Sequence, residues 1–226
     1  MYLLFFSLLL LAAPALGVTV SKRPSNYPQT TFSYGSVQPG KGRYINGKTG
    51  AIDAEGSFKG ASTYQFDIEI PSLDFFSIGF NGKVFIATAS SAERIRATGP
   101  VFDHFYLGLG GFWRLHYPLL SSLEGFGRVD LGIGPFLGAV TGVLDSGSAT
   151  MEGGGGMMGE FGLQLGMDYS FSQWFALTAA YNKSFYYGLE TLAGNIRSQD
   201  PHSTKGRQRV SLSADAILIG LKTTYL

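Results

Sequence analysis

Strict alternation of apolar and polar residues is the feature that most constrains the fold of this chain. Between Glu160 and Phe171 every second residue is large and apolar, and the residues between them are small or polar. Successive side chains of a β-strand point to opposite faces, so this segment predicts a strand with one apolar and one polar face. The apolar positions are Phe161, Leu163, Leu165, Met167, Tyr169 and Phe171.

The same two-residue period recurs along most of the chain. A weaker strand is expected near Thr30–Gln38, where Phe32 and Tyr34 share an apolar face and Val37 is out of phase. Six further strands are predicted at Ala61–Ile70, Phe76–Ile86, His104–Tyr117, the residues around Arg128, Phe175–Tyr181, and from Val210 onward. With residues 160–171 and the first strand, this gives about eight strands, an even number that suits a closed antiparallel barrel.

The connections between these segments alternate in length. Transmembrane barrels have short periplasmic turns and longer extracellular loops, so the alternation predicts such a barrel with both termini in the periplasm. The short connections are Pro71–Asp74, Pro118–Glu124 and Ser172–Gln173, and the long ones are a first loop up to about Gly56, Ala89–Pro100, Thr141–Gly156 and Leu189–Gly206.

Aromatic residues cluster at both ends of the predicted strands. Two such bands are typical of the aromatic girdles that lie at the two membrane interfaces. The band near the short turns contains Trp113, Tyr117, Tyr169, Phe171, Trp174 and Phe175, and the band near the long loops contains Phe85, Phe102, Phe105, Phe185, Tyr186 and Tyr187.

Composition separates a membrane barrel from its soluble alternatives. A soluble β-sandwich or lipocalin-like barrel also alternates, but its outer face needs charge. Only 15% of the residues are charged, against about 25% in a typical soluble domain, and 32 are glycine. This favours a lipid-facing surface. The net charge of +1 indicates no nucleic-acid partner, and the absence of cysteine excludes a disulfide framework, a thiolate zinc site and a cysteine nucleophile.

The N-terminus predicts export. The apolar run at residues 3–11 is too short to span a bilayer as a helix. It leads into small residues around Ala13, Ala15 and Gly17 that suit signal peptidase, although an uncleaved anchor is the alternative. We expect a signal peptide at residues 1–17, cleaved after Ala15 or Gly17, and one outer-membrane β-barrel domain at residues 18–226.

The last strand carries the most specific pattern. Ile217, Ile219, Leu221 and Tyr225 alternate, with Thr223 as a gap. With the pattern of the whole mature chain, this resembles the small bacterial outer-membrane β-barrels of the OmpA transmembrane-domain and OmpX-like type. The resemblance implies location in the cell outer membrane, contact with outer-membrane lipid and lipopolysaccharide, and insertion by the outer-membrane assembly machinery.

The first part of that strand is out of phase with the rest. Val210 and Leu212 alternate on the face opposite to Ile217 and Ile219. A β-bulge near Asp215–Ala216 would reconcile the two halves, because a bulge inserts one extra residue.

Charged residues fall mainly on the polar face of the strands. An eight-stranded barrel encloses just enough space for its own side chains, so these charges are expected to pair inside. A gated ion path through the same residues is the alternative. The inward candidates are Asp67, Glu69, Lys83, Arg114, Arg128, Asp130, Glu160, Asp168 and Lys222.

Three histidines limit the catalytic possibilities. His104, beside Asp103, is expected to face inward as a structural residue, His116 lies at a turn end, and His202 lies in the last long loop near Asp200. No His-x-Ser pairing of the deacylase type occurs.

Two short motifs have a structural interpretation. The four glycines at Gly153–Gly156 lack the Lys-Ser or Lys-Thr of a phosphate loop and are expected at a flexible loop tip. The sequon at Asn182 falls in a predicted strand and is discounted.

The sequence therefore predicts an all-β protein, a closed antiparallel transmembrane β-barrel of about eight strands, without catalytic, cofactor or metal sites. Its expected role is envelope-structural or adhesion-like, through extracellular loops that could hold a ligand. A narrow porin-like channel is the alternative, and a lipid A-modifying enzyme is less favoured.

Overall fold

The computed structural model describes residues 27–37, 40–46, 52–58, 61–88, 101–144, 147–151, 154–192, 196–198 and 208–224. The predicted signal peptide lies outside these residues. No helix in the described part of the chain is long and apolar enough to cross a membrane. Its strands are β1 (Gln29–Val37), β2 (Gly40–Asn46), β3 (Ile52–Phe58), β4 (Ala61–Leu73), β5 (Phe76–Ala87), β6 (Val101–Pro118), β7 (Leu123–Leu144), β8 (Gly147–Met151), β9 (Gly154–Ser170), β10 (Phe175–Leu192), β11 (Ile196–Ser198) and β12 (Gln208–Thr224).

Eight strands close into one antiparallel barrel. The order is β1-β4-β5-β6-β7-β9-β10-β12, and β12 pairs back with β1. The closing pairs run from Gln29 opposite Thr224 to Val37 opposite Ala216. This confirms the predicted all-β closed antiparallel barrel, including its weakest strand, β1. Within the part of the chain that the structure describes, each of these eight strands has two paired neighbours, which closes the barrel.

The strands are longer than the sequence pattern predicted. β2 continues the line of β1 along β12, and β3 pairs with β2, so part of the expected first loop is a hairpin extension. Likewise β7 runs to Leu144 and pairs with β8, which pairs with β11, within the expected loops Thr141–Gly156 and Leu189–Gly206. Backbone pairing therefore continues beyond the predicted strand ends. The expected loop at 89–100 lies outside the described residues, and the three short turns are confirmed, at 74–75, 119–122 and 171–174.

Side chains alternate between the outside and the inside of the barrel as predicted. Leu165 is 68% exposed, whereas its neighbour Gln164 is 3% exposed. On β4, Phe66 and Ile68 face outward and Asp67 faces inward. The outer wall is therefore apolar and this part of the interior is polar, the reverse of a soluble protein.

The interior has a second, apolar layer that the sequence analysis missed. Towards the long connections it contains large buried side chains that touch one another. Ring centroids lie 5.3 Å apart for Phe85 and Tyr186 and 5.1 Å apart for Tyr106 and Tyr186. The expectation that Phe85 and Tyr186 belong to an interfacial girdle is wrong, because both face inward and are 0% and 2% exposed.

The predicted bulge near Asp215–Ala216 is also wrong. β12 pairs with β10 without a register shift from Ser211 to Thr223. Val210 and Leu212 face inward, 1% and 2% exposed, where they join the apolar layer. Val210 and Leu212 alternate on the opposite face from Ile217 and Ile219 because the apolar residues of β12 face the interior at this end of the strand and the outside further along it.

Candidate functional site in the barrel interior

The nine charged residues predicted to face the interior all do so, and each is at most 7% exposed. They come from six strands, β4, β5, β6, β7, β9 and β12. Five are acidic and four are basic, so the set is nearly neutral. Burial of such charges is tolerated only with partners, and the charges and their partners form three clusters.

Arg128 is the centre of the first cluster. Its Nη1 and Nη2 donate to the two carboxylate oxygens of Asp67 at 2.7 and 2.9 Å, and its Nε donates to Asp130 Oδ1 at 2.8 Å. Asn81 donates to Asp130 at 2.6 Å, and Gln164 donates to its other oxygen at 3.0 Å. The two acids are thus joined through one guanidinium. The fork of Arg suits such bidentate pairing.

Glu69 and Asp168 are bridged twice in the second cluster. Arg114 lies 3.3 Å from Glu69 Oε2 and 2.7 Å from Asp168 Oδ2. Lys222 lies 2.8 Å from the same oxygen of Glu69 and 3.0 Å from the same oxygen of Asp168. Two cations therefore neutralise two carboxylates across strands β4, β6, β9 and β12.

Lys83 and Glu160 form the third cluster, nearest the apolar layer. The ammonium of Lys83 is paired directly with Glu160 Oε1. Ser184 donates to the same oxygen at 3.1 Å, and Asn182 donates to Ser184 at 2.9 Å. Asn182 is 2% exposed inside a strand, where the sequence analysis placed it.

Two aromatic rings hold the arginines in place. The guanidinium carbon of Arg128 lies 3.6 Å from the ring centroid of Phe112, and that of Arg114 lies 3.6 Å from the centroid of Phe126. Such cation–π contacts are stronger away from water. Gly79 makes room for one ring, since a Cβ there would lie 2.3 Å from Phe112 Cζ.

His116 lies where the interior meets the short turns. Its Nε2 lies 2.9 Å from Glu69 Oε1 and 2.8 Å from Ser77 Oγ, and its Nδ1 lies 2.6 Å from Glu124 Oε1. A cavity of about 400 Å³ borders this group and is lined in part by Glu69, His116 and Glu124.

The contacts from Ser77 to His116 and from His116 to Glu124 follow the serine–histidine–carboxylate arrangement of a serine-hydrolase triad. The serine offers no accessible nucleophile, however. Its side chain is fully buried, its hydroxyl donates to Glu69 Oε1 at 2.6 Å, and it does not line the cavity. The arrangement therefore acts as a polar closure of the barrel end, and the described residues contain no group of three acidic, His or Cys side chains arranged to hold a metal ion.

The other residues that the sequence analysis considered lie apart from this network. His104 faces inward, 2% exposed, with its ring centroid 5.4 Å from that of Phe136 in the apolar layer. The prediction of a loop tip at Gly153–Gly156 is wrong for three of its residues, because Gly154, Gly155 and Gly156 belong to β9 and pair with β7. His202 and Asp200 lie outside the described residues.

The sequence analysis missed the polar residues that complete the network. Ser77 and Asn81 lie an even number of residues from Lys83 on β5, so the two-residue alternation could have placed them inside the barrel with it. The junction of His116 with Glu124 could also have been expected, because the two residues flank one short turn.

Comparisons with known proteins concern the fold alone. No family model and no curated protein matches the chain. Among solved structures it is similar to Neisserial surface protein A (12% identity, TM-score 0.46, 87% of this chain and 97% of that chain). It is also similar to the outer membrane protein OprG from Pseudomonas aeruginosa (11% identity, TM-score 0.45, 91% of this chain and 99% of that chain). A third similar structure is that of outer membrane protein AlkL (15% identity, TM-score 0.44, 92% of this chain and 94% of that chain). The membrane location proposed below rests on this chain's own side chains.

Proposed function

We propose that this chain is a bacterial outer-membrane β-barrel with a closed lumen, and that its envelope-structural or surface-interaction role is carried by the extracellular end. The observation that carries the proposal is the outer wall. Large apolar side chains project from it on every side, with exposures of 57% for Phe32, 66% for Phe80, 71% for Leu109, 68% for Leu165 and 60% for Ile219.

Such a wall suits lipid and not water. Soluble monomers seldom expose contiguous apolar patches of more than a few hundred Å². A bilayer also requires that every backbone polar group be paired within the protein, and a closed barrel meets this requirement. The charges expected on a soluble surface are instead buried inside, where each has an opposite charge within about 3.3 Å.

A closed lumen is supported by the exposure of the residues that fill it. A water-wide channel would expose its lining. The side chains of the central network, such as Arg114 and Asp168, are only 2% and 1% exposed. Phe85 and Tyr106, in the apolar layer towards the long connections, are both 0% exposed. Ions would have to displace both layers to pass. We therefore favour a non-enzymatic, non-conducting barrel over a porin-like channel.

The test combines fractionation with conductance. The full chain should be recovered in the outer-membrane fraction and should migrate differently on a denaturing gel before and after boiling. In planar bilayers the purified protein should give no stepwise conductance, with a general porin as the positive control. Recovery in the soluble fraction would refute the membrane location, and reproducible conductance steps would refute the closed lumen.

Orientation is tested separately on intact cells. The long connection at 89–100 should be extracellular and the turn at 119–122 periplasmic, because transmembrane barrels place their short turns on the periplasmic side. Proteinase K added to intact cells should cleave the former and spare the latter. Cleavage only at the short turn would mean that the barrel is inverted.

A further inference from the structure

The cavity at the turn end of the barrel is large enough for a small organic molecule. Its volume is about 400 Å³, whereas one water occupies about 30 Å³ and ligand pockets usually hold roughly 300–1,000 Å³. Exposed residues of two short turns line it, Asp74 after β4 and Leu120 and Ser121 after β6. A ligand can therefore enter from solvent between these turns without passing through the barrel.

The charged residues of the lining leave an excess of negative charge. Glu69, which is 1% exposed, is already neutralised by the two cations of the second cluster. Glu124 contacts His116 through Oε1 at 2.6 Å, and its Oε2 accepts no hydrogen bond from the described residues. Asp74 forms no ion pair within the same part of the chain. Even a protonated His116 would offset only one of these two carboxylates, so the cavity attracts a cation.

A buried amide in the lining lacks a hydrogen-bond donor. Gln29, the first residue of β1, is 6% exposed and shares the inward phase of Thr31 and Ser33. It lines the cavity and lies directly opposite Glu69 in the strand register. Its Oε1 is buried and accepts no hydrogen bond from the residues that the structure describes. Leaving a buried acceptor unpaired is unfavourable, so this oxygen indicates where a donor of a ligand belongs.

The rest of the lining is mainly apolar, apart from three serines. Such a wall favours the methylene groups of a ligand, because their contact with it removes apolar surface from water. The apolar lining residues are Pro71, Leu73, Pro118, Leu120 and Leu123. The cavity thus combines two carboxylates near solvent, an apolar wall and a buried amide acceptor.

We propose that this cavity binds a small aliphatic amine that carries a second hydrogen-bond donor. The ammonium group contacts Glu124 and Asp74, the methylene chain contacts the apolar wall, and the second donor binds Gln29 Oε1. An anion would be repelled by the two carboxylates, and the described residues hold no group of three side chains that suits a metal ion. The site goes beyond the proposed function, and only its location in the periplasm depends on the proposed orientation.

The test is calorimetric titration of the purified full chain, in uncharged detergent, with the terminal amino alcohol aminobutanol. Butanediol lacks the charge and should bind at least roughly tenfold more weakly, because hydrogen bonds to charged groups are the stronger ones. Butylamine lacks the second donor and should bind roughly two- to tenfold more weakly. Butanediol that binds as tightly as aminobutanol would overturn the proposal.

Two variants test the two ends of the ligand. Glu124→Gln should weaken aminobutanol binding by roughly tenfold or more. Asp215→Asn removes the same charge from the outer wall and should bind as the wild type does. Gln29→Met should lose the preference for aminobutanol over butylamine, and a preference that persists would overturn the role of Gln29.

Folding is checked for each variant by the mobility of the unboiled protein on a denaturing gel. If Glu124→Gln loses the gel shift, Asp74→Asn decides, because it changes an exposed side chain; it should weaken binding by roughly two- to fivefold. Wild-type affinity in a folded Glu124→Gln or Asp74→Asn variant, or an equal loss in Asp215→Asn, would overturn the amine site. A wild type without the gel shift would instead refute the proposed membrane barrel.

Discussion

Replacing Arg128 with methionine should destabilise the barrel by about 3–5 kcal/mol, the usual cost of breaking a buried ion pair. Methionine is close in length, so little volume is lost. The change removes the hydrogen bonds that Arg128 donates to Asp67 and Asp130, which are 3% and 1% exposed. It also removes the cation from the face of Phe112.

The remaining partners decide where in that range the effect falls. Asp67 keeps two hydrogen bonds of 3.0 Å from Gln65, and Asp130 keeps those from Asn81 and Gln164. Neutral donors stabilise a carboxylate but do not cancel its charge. The interior, which has five acids against four cations, would gain a further net negative charge. We therefore expect about 3 kcal/mol or more.

The assay is equilibrium unfolding in urea with the protein in lipid vesicles, and the folded fraction is measured by gel mobility. Arg128→Met combined with Asp67→Asn and Asp130→Asn removes the unpaired charges and should regain more than half of the loss. Lys183→Met, which removes an exposed cation, should change stability by no more than about 1 kcal/mol. A single variant within 1 kcal/mol of wild type, or a triple variant less stable than the single one, would refute the charge argument.

Three further predictions follow from burial and from the N-terminus. Leu165→Arg should lower the yield of assembled protein much more than Gln164→Arg, because a lipid-facing Arg costs about 2–4 kcal/mol while position 164 lies beside buried acids; equal yields in the outer-membrane fraction would contradict the alternation. Tyr186→Ala should cost about 3–5 kcal/mol in the same urea titration, since the ring is 2% exposed in the apolar layer, and a loss below 1 kcal/mol would show that the layer is loosely filled. Mature protein should begin after Ala15 or Gly17, and N-terminal sequencing that starts at Met1 would contradict export with cleavage.

Alternation was sufficient to predict the strands and their two faces. The reason is that side chains along a strand alternate strictly. A single long apolar face such as that of β9 therefore fixes which residues of that strand point outward and which point inward. The nine inward charges followed from the same phase. Their pairing could not follow, because Arg128 meets Asp67 from a strand 61 residues away, and the meeting depends on the stagger between strands.

The apolar layer was missed because alternation identifies two faces but not what each face touches. Phe85 has the same phase as Lys83, and Tyr106 the same phase as His104, so their inward direction was available from the sequence. The expectation that aromatic residues near strand ends form girdles overrode it. The role of the long connections could not be predicted from period alone, because those connections lack a regular pattern.

The bulge prediction failed for a reason that explains how the barrel is organised. Along β12 the inward residues change from Lys222 at the turn end to Leu212 at the loop end, while the outward residues change from Ile219 to Asp215 and then serines. Each face therefore exchanges its polarity within one continuous strand. In the proposed membrane barrel the outside near the turns meets lipid, and charge is buried inside. Beyond Asp215 the wall would meet headgroups and water, and on this side the interior is filled by an apolar core, as in a soluble protein. The polarity of both faces of β12 thus inverts while its register with β10 stays constant, and in the proposed membrane barrel this inversion marks the membrane surface on this strand.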